Sequence, residues 1–270
     1  MHNAVRPTDP RRAPMDSMRR TALVAGVLYL ITFLAVATLF GYGAVLKDPA
    51  FILSSGSDTA VRWGALVEVI VALAGVGCAI TLFPVVKRQN EAFALGYVTT
   101  RVIEAAMIFI GVVSLLSLLT LRQDLAPAPG ADSASILTAG ASLIATYNAT
   151  FLLGQTLMPG MNAVLLGYLM YRSGLVPRVI PVLGLIGGPL MISSVAGQIV
   201  GINEQYSVWS GIALVPIFIW ELSLGLWMAI KGFKPSSPLM VVAAAQSGSP
   251  TGATGGLSSR TIVPPQVGAV

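Results

Sequence analysis

Six long apolar runs, separated by short polar stretches, constrain this chain more than any other feature. They occupy residues 21–45, 62–86, 98–121, 148–171, 179–202 and 207–230. Each is near the roughly 20 residues that a helix needs to cross the hydrocarbon core of a bilayer. None alternates as a barrel strand does, and in lipid a helix satisfies its own backbone groups. The fold class that follows is all-α, a six-helix transmembrane bundle. A further stretch, residues 133–147 (SASILTAGASLIATY), is shorter and less apolar. It reads as a short interfacial helix between helices three and four, or an extension of the fourth, and not as a seventh span. The first run exceeds the about 7–15 apolar residues of a cleavable signal peptide, so it is expected to remain as an anchor.

Composition agrees. Only 10% of the 270 residues are charged and 55% are hydrophobic, with a mean hydropathy of +0.80. Soluble domains carry about 25% charged residues, so a water-facing surface is hard to assemble from this inventory. The net charge of +5 does not indicate nucleic acid, because the basic residues sit in short clusters between apolar runs instead of forming a phosphate-binding face. The partner that composition requires is the lipid bilayer.

The positions of those basic residues set an orientation. Arg6, Arg11, Arg12, Arg19, Arg20, Lys87, Arg88, Arg172, Arg178, Lys231, Lys234 and Arg260 fall on one side, and Lys47, Arg62 and Arg122 on the other. Twelve against three is a positive-inside bias that puts both termini in the cytoplasm and favours an even number of spans. Residues 1–19 read as a basic disordered tail, 20–234 as the membrane domain, and the Ser/Gly/Pro-rich residues 235–270 as a second disordered tail.

Several function classes are excluded. Cys78 is the lone cysteine and His2 the lone histidine, so no intramolecular disulfide, no thiolate or histidine metal cluster and no histidine-based triad in a folded site is expected. No G-x-x-x-x-G-K-S/T loop or strand-helix G-x-G-x-x-G motif occurs. The sequence therefore predicts no cofactor, no metal and no catalytic constellation.

Ionisable residues within a membrane are costly and mark candidate sites. Arg101 and Glu104, three apart on the third helix, share a face and can pair. Glu221 lies past the middle of the sixth helix at a comparable depth, placed to share the Arg101 charge. Glu68, on the second helix, sits near enough to the outer end to be solvated. The functional reading is a buried polar site for a proton or cation; the bland one is a structural ion pair, or an Arg101 that snorkels to the interface. On helix four, Asn148, Gln155 and Asn162 recur every seven residues beside Pro159 and Gly160, a polar stripe suited either to lining a path or to interhelical hydrogen bonding. Gly184/Gly188 and Gly197/Gly201 on helix five have the G-x-x-x-G spacing of close helix packing. Tyr29, Tyr42, Trp63, Tyr171, Trp209 and Trp227 fall mostly near expected interfaces.

Four segments together resemble a known bacterial family: AGVLYLITFL in helix one, the Arg62–Leu66 entry to helix two, RVIEA at Arg101–Ala105, and YRSGLVPRVIPVLGLIGGPLMI at Tyr171–Ile192. They are similar to the membrane family called domain of unknown function 4386 (DUF4386), over roughly residues 19–231. The Y-R-S-G-x-x-P-R loop is the most specific part. The resemblance implies a six-helix protein of the bacterial cytoplasmic membrane with no established activity, substrate or cofactor. The R-x-x-E-A pair matches the family pattern without gaining a role from it.

Three readings of function follow. One is a permeation or transport protein for a small solute or ion. The second is a non-catalytic partner or regulatory subunit that meets another protein through the helix-five glycines or the tail. The third, an intramembrane enzyme acting on lipid, has the least support, since no intramembrane histidine or paired aspartates are present.

Overall fold

The computed structural model describes residues 12–242 apart from 49, 55–56, 125–131 and 206. Helix α1 (Arg12–Ile31) runs through a short 3-10 turn (Thr32–Leu34) into α2 (Ala35–Gly41), followed by α3 (Gly43–Lys47) and a 3-10 turn at Phe51–Leu53. Then come α4 (Thr59–Val86), α5 (Glu91–Asp124), α6 (Ser133–Thr150), a π segment (Phe151–Leu157), α7 (Met158–Ser173), α8 (Val179–Ile199) and α9 (Val208–Ile230). Among the described residues there is no strand, and six helical stretches are long and apolar enough to cross a membrane. The all-α, six-span class is thus realised.

Of the two readings of residues 133–147, the extension of the fourth span is the one realised, and a separate interfacial helix is not. Ser133–Ser173 is one continuous helix of 41 residues, because no glycine or proline interrupts the chain between Ala141 and Phe151. At 1.5 Å per residue it is about 60 Å long, roughly twice the hydrocarbon thickness. It is therefore longer than a span requires, and its first half packs with the end of α5. There the two helices and the chain after α2 share a second apolar core, built on Val45, Phe51, Ile52, Leu118, Leu119 and Ile136.

Both expected domain boundaries move outward. Helix α1 begins at Arg12. Beyond Lys234 the chain folds back instead of leaving: Lys234 N donates to Leu175 O at 2.8 Å and Ser237 Oγ to Ser173 O at 2.8 Å. Ser237 and Met240 are buried. The remaining tail residues, 1–11 and 243–270, expected to be disordered, lie outside the described residues.

The spans close into a ring in which α1 packs on α4, α4 on α5, α5 on α7, α7 on α8, α8 on α9 and α9 on α1. Lipid gives apolar helices no hydrophobic reason to associate, so close packing of small residues carries the contact. A Cβ at Gly188 would fall 2.7 Å from Gly160 O, and one at Gly184 would fall 2.7 Å from the Trp220 indole. The Gly184/Gly188 pair thus packs within the chain. Gly197/Gly201 is not a packing pair: Gly201 adopts φ 76° in the turn after α8, with open space around it.

On one face of the ring, Arg19 donates to the carbonyls of Met228 (3.2 Å), Ala229 (3.0 Å) and Ile230 (2.9 Å). These belong to the orphan carbonyls at the end of α9, where a cation is favourable. The start of α1 and the end of α9 therefore meet on this face, called the terminal face below. Toward the opposite, far face, α2 leaves α9 and leans on α4.

Candidate functional site

Arg101, on α5, points into the ring and is only 3% exposed, so it does not snorkel. Its Nη1 donates to Glu104 Oε1 at 3.2 Å and Oε2 at 3.0 Å. Its Nη2 lies 3.5 Å from Glu221 Oε1 on α9. The guanidinium stands 5.2 Å from the Tyr29 ring centre and 5.8 Å from that of Tyr97, where the π faces favour a cation. Gly75 of α4 faces it, and a Cβ there would lie 3.7 Å from Nη1, an ordinary contact. Sequence expectation and geometry agree that Arg101, Glu104 and Glu221 come together.

The two carboxylates are held differently. Glu104 accepts from Arg101 and also from Asn162 Nδ2 at 2.7 Å, while Asn162 Oδ1 accepts from Thr100 Oγ1 at 2.5 Å. Glu221 has only the 3.5 Å ion pair and a 3.4 Å bond from Tyr29 Oη. The Glu104 and Glu221 side chains keep 12% and 18% of their surface exposed. Arg101 Nε has no hydrogen-bond partner among the described residues, which leaves a buried donor for water or a solute.

Glu68 is not solvated, contrary to its expected position near the outer surface. It is fully buried, because the extended α5 and α6 and the chain after α2 cover that end of α4. Its Oε1 accepts from Tyr147 Oη and Gln155 Nε2, each at 3.1 Å, and its Oε2 from Tyr42 Oη at 3.2 Å. Glu68 precedes Gly75, the residue level with Arg101, by seven positions on α4, so the two sites are about 10 Å apart along the ring axis.

The polar stripe survives in part. Gln155 reaches Glu68 and Asn162 reaches Glu104, but Asn148 is exposed and Tyr147 takes the inward position. The π segment is the reason. In a regular helix the ring of Pro159 would clash with the Gln155 carbonyl, and the helix widens over Phe151–Leu157 just before it. A π turn closes i→i+5 bonds, so the stretch holds an extra residue and rotates everything upstream by about 100°. The inward spacing becomes eight, from Tyr147 to Gln155.

Sequence reasoning also misplaced two aromatic residues. Tyr29 and Tyr42 are buried partners of carboxylates, whereas Trp63, Tyr171 and Trp209 are exposed as an interfacial belt requires. Tyr97, Thr100 and Tyr147 were missed altogether. The available signal was physical: a carboxylate inside a bundle needs donors, and Tyr29 lies too deep in its run for the interface. Cys78 packs against α1, its Sγ 3.5 Å from Ala25 O. Among the described residues no three His, Cys, Asp or Glu side chains stand close enough to hold a metal ion.

A ring of six apolar helices around a buried guanidinium, two buried carboxylates and a third that is partly buried defines a multi-pass helical membrane protein with an ionic interior. The profile of the family described as a domain of unknown function, DUF4386, matches residues 24–232, and the chain belongs to that family. No curated protein and no solved structure matches it.

Proposed function

We propose that this is a permeation or transport protein for a small solute, in which the Arg101–Glu104–Glu221 site exchanges a proton or a monovalent cation. The observation that carries the reading is charge balance. Among the described residues, the interior of the spans holds one guanidinium, Arg101, and three carboxylates: Glu68 and Glu104, which are buried, and Glu221, which is partly buried. A low-dielectric interior does not retain unpaired charge, so protons or cations make up the difference.

Glu104, with its closer donors, forms the standing pair with Arg101. Glu221, held by longer contacts, is the member that trades Arg101 for an incoming proton or cation. Pro216, five residues before it in α9, removes one helical hydrogen bond and gives that span a place to bend. The twelve-to-three distribution of basic residues supports the bacterial cytoplasmic membrane with the terminal face inside.

Purification in native-lipid nanodiscs, followed by mass spectrometry of what travels with the protein, tests the reading. A bound small solute that is lost in Glu221→Gln supports it; a stoichiometric protein partner and no solute contradicts it. Orientation is tested by thiol labelling of exposed positions in a Cys78→Ser background. Ser133→Cys is expected to react from outside and Ser236→Cys only from inside; the reverse pattern overturns the topology.

A further inference from the structure

Glu68 stands apart from the Arg101 site. Its three partners, Tyr42, Tyr147 and Gln155, are neutral donors, and among the described residues no cation pairs with it. Around it α4 and α5 contribute an apolar cluster that includes Ala65, Val71, Ala72, Ile108 and Val112. It is therefore a carboxylate inside a membrane protein with no counter-charge among the described residues, a state that calls for a ligand of positive charge.

The cover over Glu68 is built from the chain after α2. Tyr42 lies between α2 and α3, and its ring fills a notch where a Cβ on Gly64 would come within 2.5 Å. Further along, Ile52 fills a second notch, at Gly140 of α6, where a Cβ would meet Ile52 Cδ1 at 2.8 Å. The polar contacts that hold this cover converge on Arg122, at the end of α5. Its Nε and Nη2 donate to Ser54 O at 3.0 and 2.6 Å. It also pairs with Asp58, and its guanidinium lies 4.4 Å from the Phe51 ring centre.

We propose that Glu68 is a second cation site, occupied by a proton, which opens to the far face when the cover of Tyr42, α3 and the Phe51–Leu53 turn lifts, and that Arg122 is the latch of that cover. The packing favours a proton over a larger cation: an alkali ion would have to displace Gln155 or a tyrosine hydroxyl, whereas a proton displaces nothing. The proton comes from water on the far face and bonds to a Glu68 oxygen. Glu68 then donates where it had accepted, and the Tyr42 hydroxyl, which can do either, takes that bond. The purpose of the device rests on the transport reading, but its two parts, proton and latch, are testable without any transported solute.

The test is carbodiimide modification of the full chain in lipid nanodiscs, in a Cys78→Ser background, with an amine nucleophile as trap and peptide mapping by mass spectrometry. A carbodiimide adds to a protonated carboxyl, so the yield at Glu68 reports both the proton and access. Slow modification is expected in the latched protein, and about tenfold faster modification in Arg122→Gln, as the open population grows. A lock supplies the second arm. A Cβ on Gly140 would lie 3.4 Å from Ile52 Cβ, close to the about 3.5–4.5 Å of disulfides. Oxidised Ile52→Cys/Gly140→Cys protein is expected to react more slowly than the same protein after reduction. This comparison holds even if Arg122→Gln folds poorly. Equal Glu68 rates in locked and reduced protein, or no Glu68 adduct under any condition while Glu221 reacts, overturn the proposal. Suppression by sodium at fixed pH and ionic strength overturns the proton as occupant. Latch-dependent labelling with no solute flux in any form would count against the transport reading alone.

Discussion

Arg101 of the third span and Glu221 of the sixth stand 3.5 Å apart, although their helices are not neighbours in the ring. The contact crosses the interior, so the long guanidinium arm ties α5 to α9, which do not pack along one another. Replacing Arg101 removes that tie and strands two carboxylates. Loss of one partner from a buried ionic group costs about 3–5 kcal/mol. Arg101→Gln is therefore expected to lower thermal stability sharply, and Arg101→Gln/Glu104→Gln to recover part of the loss. A double-mutant cycle on purified protein checks this; strictly additive losses would show that the two residues are uncoupled.

Asn162 is the orienting residue of the standing pair. It donates to Glu104 Oε2 and accepts from Thr100, so Asn162→Leu leaves Glu104 without its shortest bond and returns the Thr100 hydroxyl to the Gly96 and Tyr97 carbonyls of its own helix. The expected cost is about 1–3 kcal/mol, read as a lowered unfolding midpoint in the same lipid. Thr100→Val, which removes only the outer member of the chain, is expected to cost less.

Glycine positions divide into two classes by what surrounds them. Gly188 faces Val164 and the Gly160 carbonyl, so Gly188→Val is expected to separate α7 from α8 at a cost of about 1–3 kcal/mol or more. Gly211, inside α9, has nothing within 4 Å of where its Cβ would lie. Gly211→Ala is expected to be neutral or stabilising by about 0.4–1 kcal/mol. Melting curves of the two variants, recorded side by side, separate the classes.

Ahead of the fourth apolar run, the start of α6 carries a pH-dependent cap. The Asp132 carboxylate accepts from Ser135 Oγ and from the amides of Ala134 and Ser135, and this holds it below the ordinary carboxylate range. A group depressed in the folded state contributes its full effect above its ordinary value, about 3.9, and loses it as pH falls through the lower, folded value. Hydrogen exchange in the first turn of α6 is expected to quicken in that acid window, relative to the intrinsic rate. Asp132→Ala is expected to exchange fast at every pH.

What the sequence disclosed depended on whether it was expressed as depth or as contact. Arg101, Glu104 and Glu221 were legible because three-residue spacing and depth within an apolar run both survive folding. The inward position of Tyr147 was not. It depends on the extra residue in the π segment, which regular helical counting passes over although Pro159 signals a local adjustment. Glu68 was misjudged because its burial comes from the overhang of α5 and α6 and from the cover after α2, which are tertiary features. Tyr29 and Tyr42 were read by residue type, and tyrosine suits a membrane interface and a buried carboxylate equally well.

The central claim is that Glu221 exchanges Arg101 for a proton or cation as solute passes. Its most direct test is flux into proteoliposomes that contain internal pH and sodium indicators, with a mixture of small polar solutes outside. The wild-type protein is expected to move protons or sodium faster than empty vesicles, and only when a solute is present. Glu221→Gln, folded and inserted to the same level, is expected to match empty vesicles. Wild-type flux no greater than that of empty vesicles, or undiminished flux in Glu221→Gln, would contradict the account.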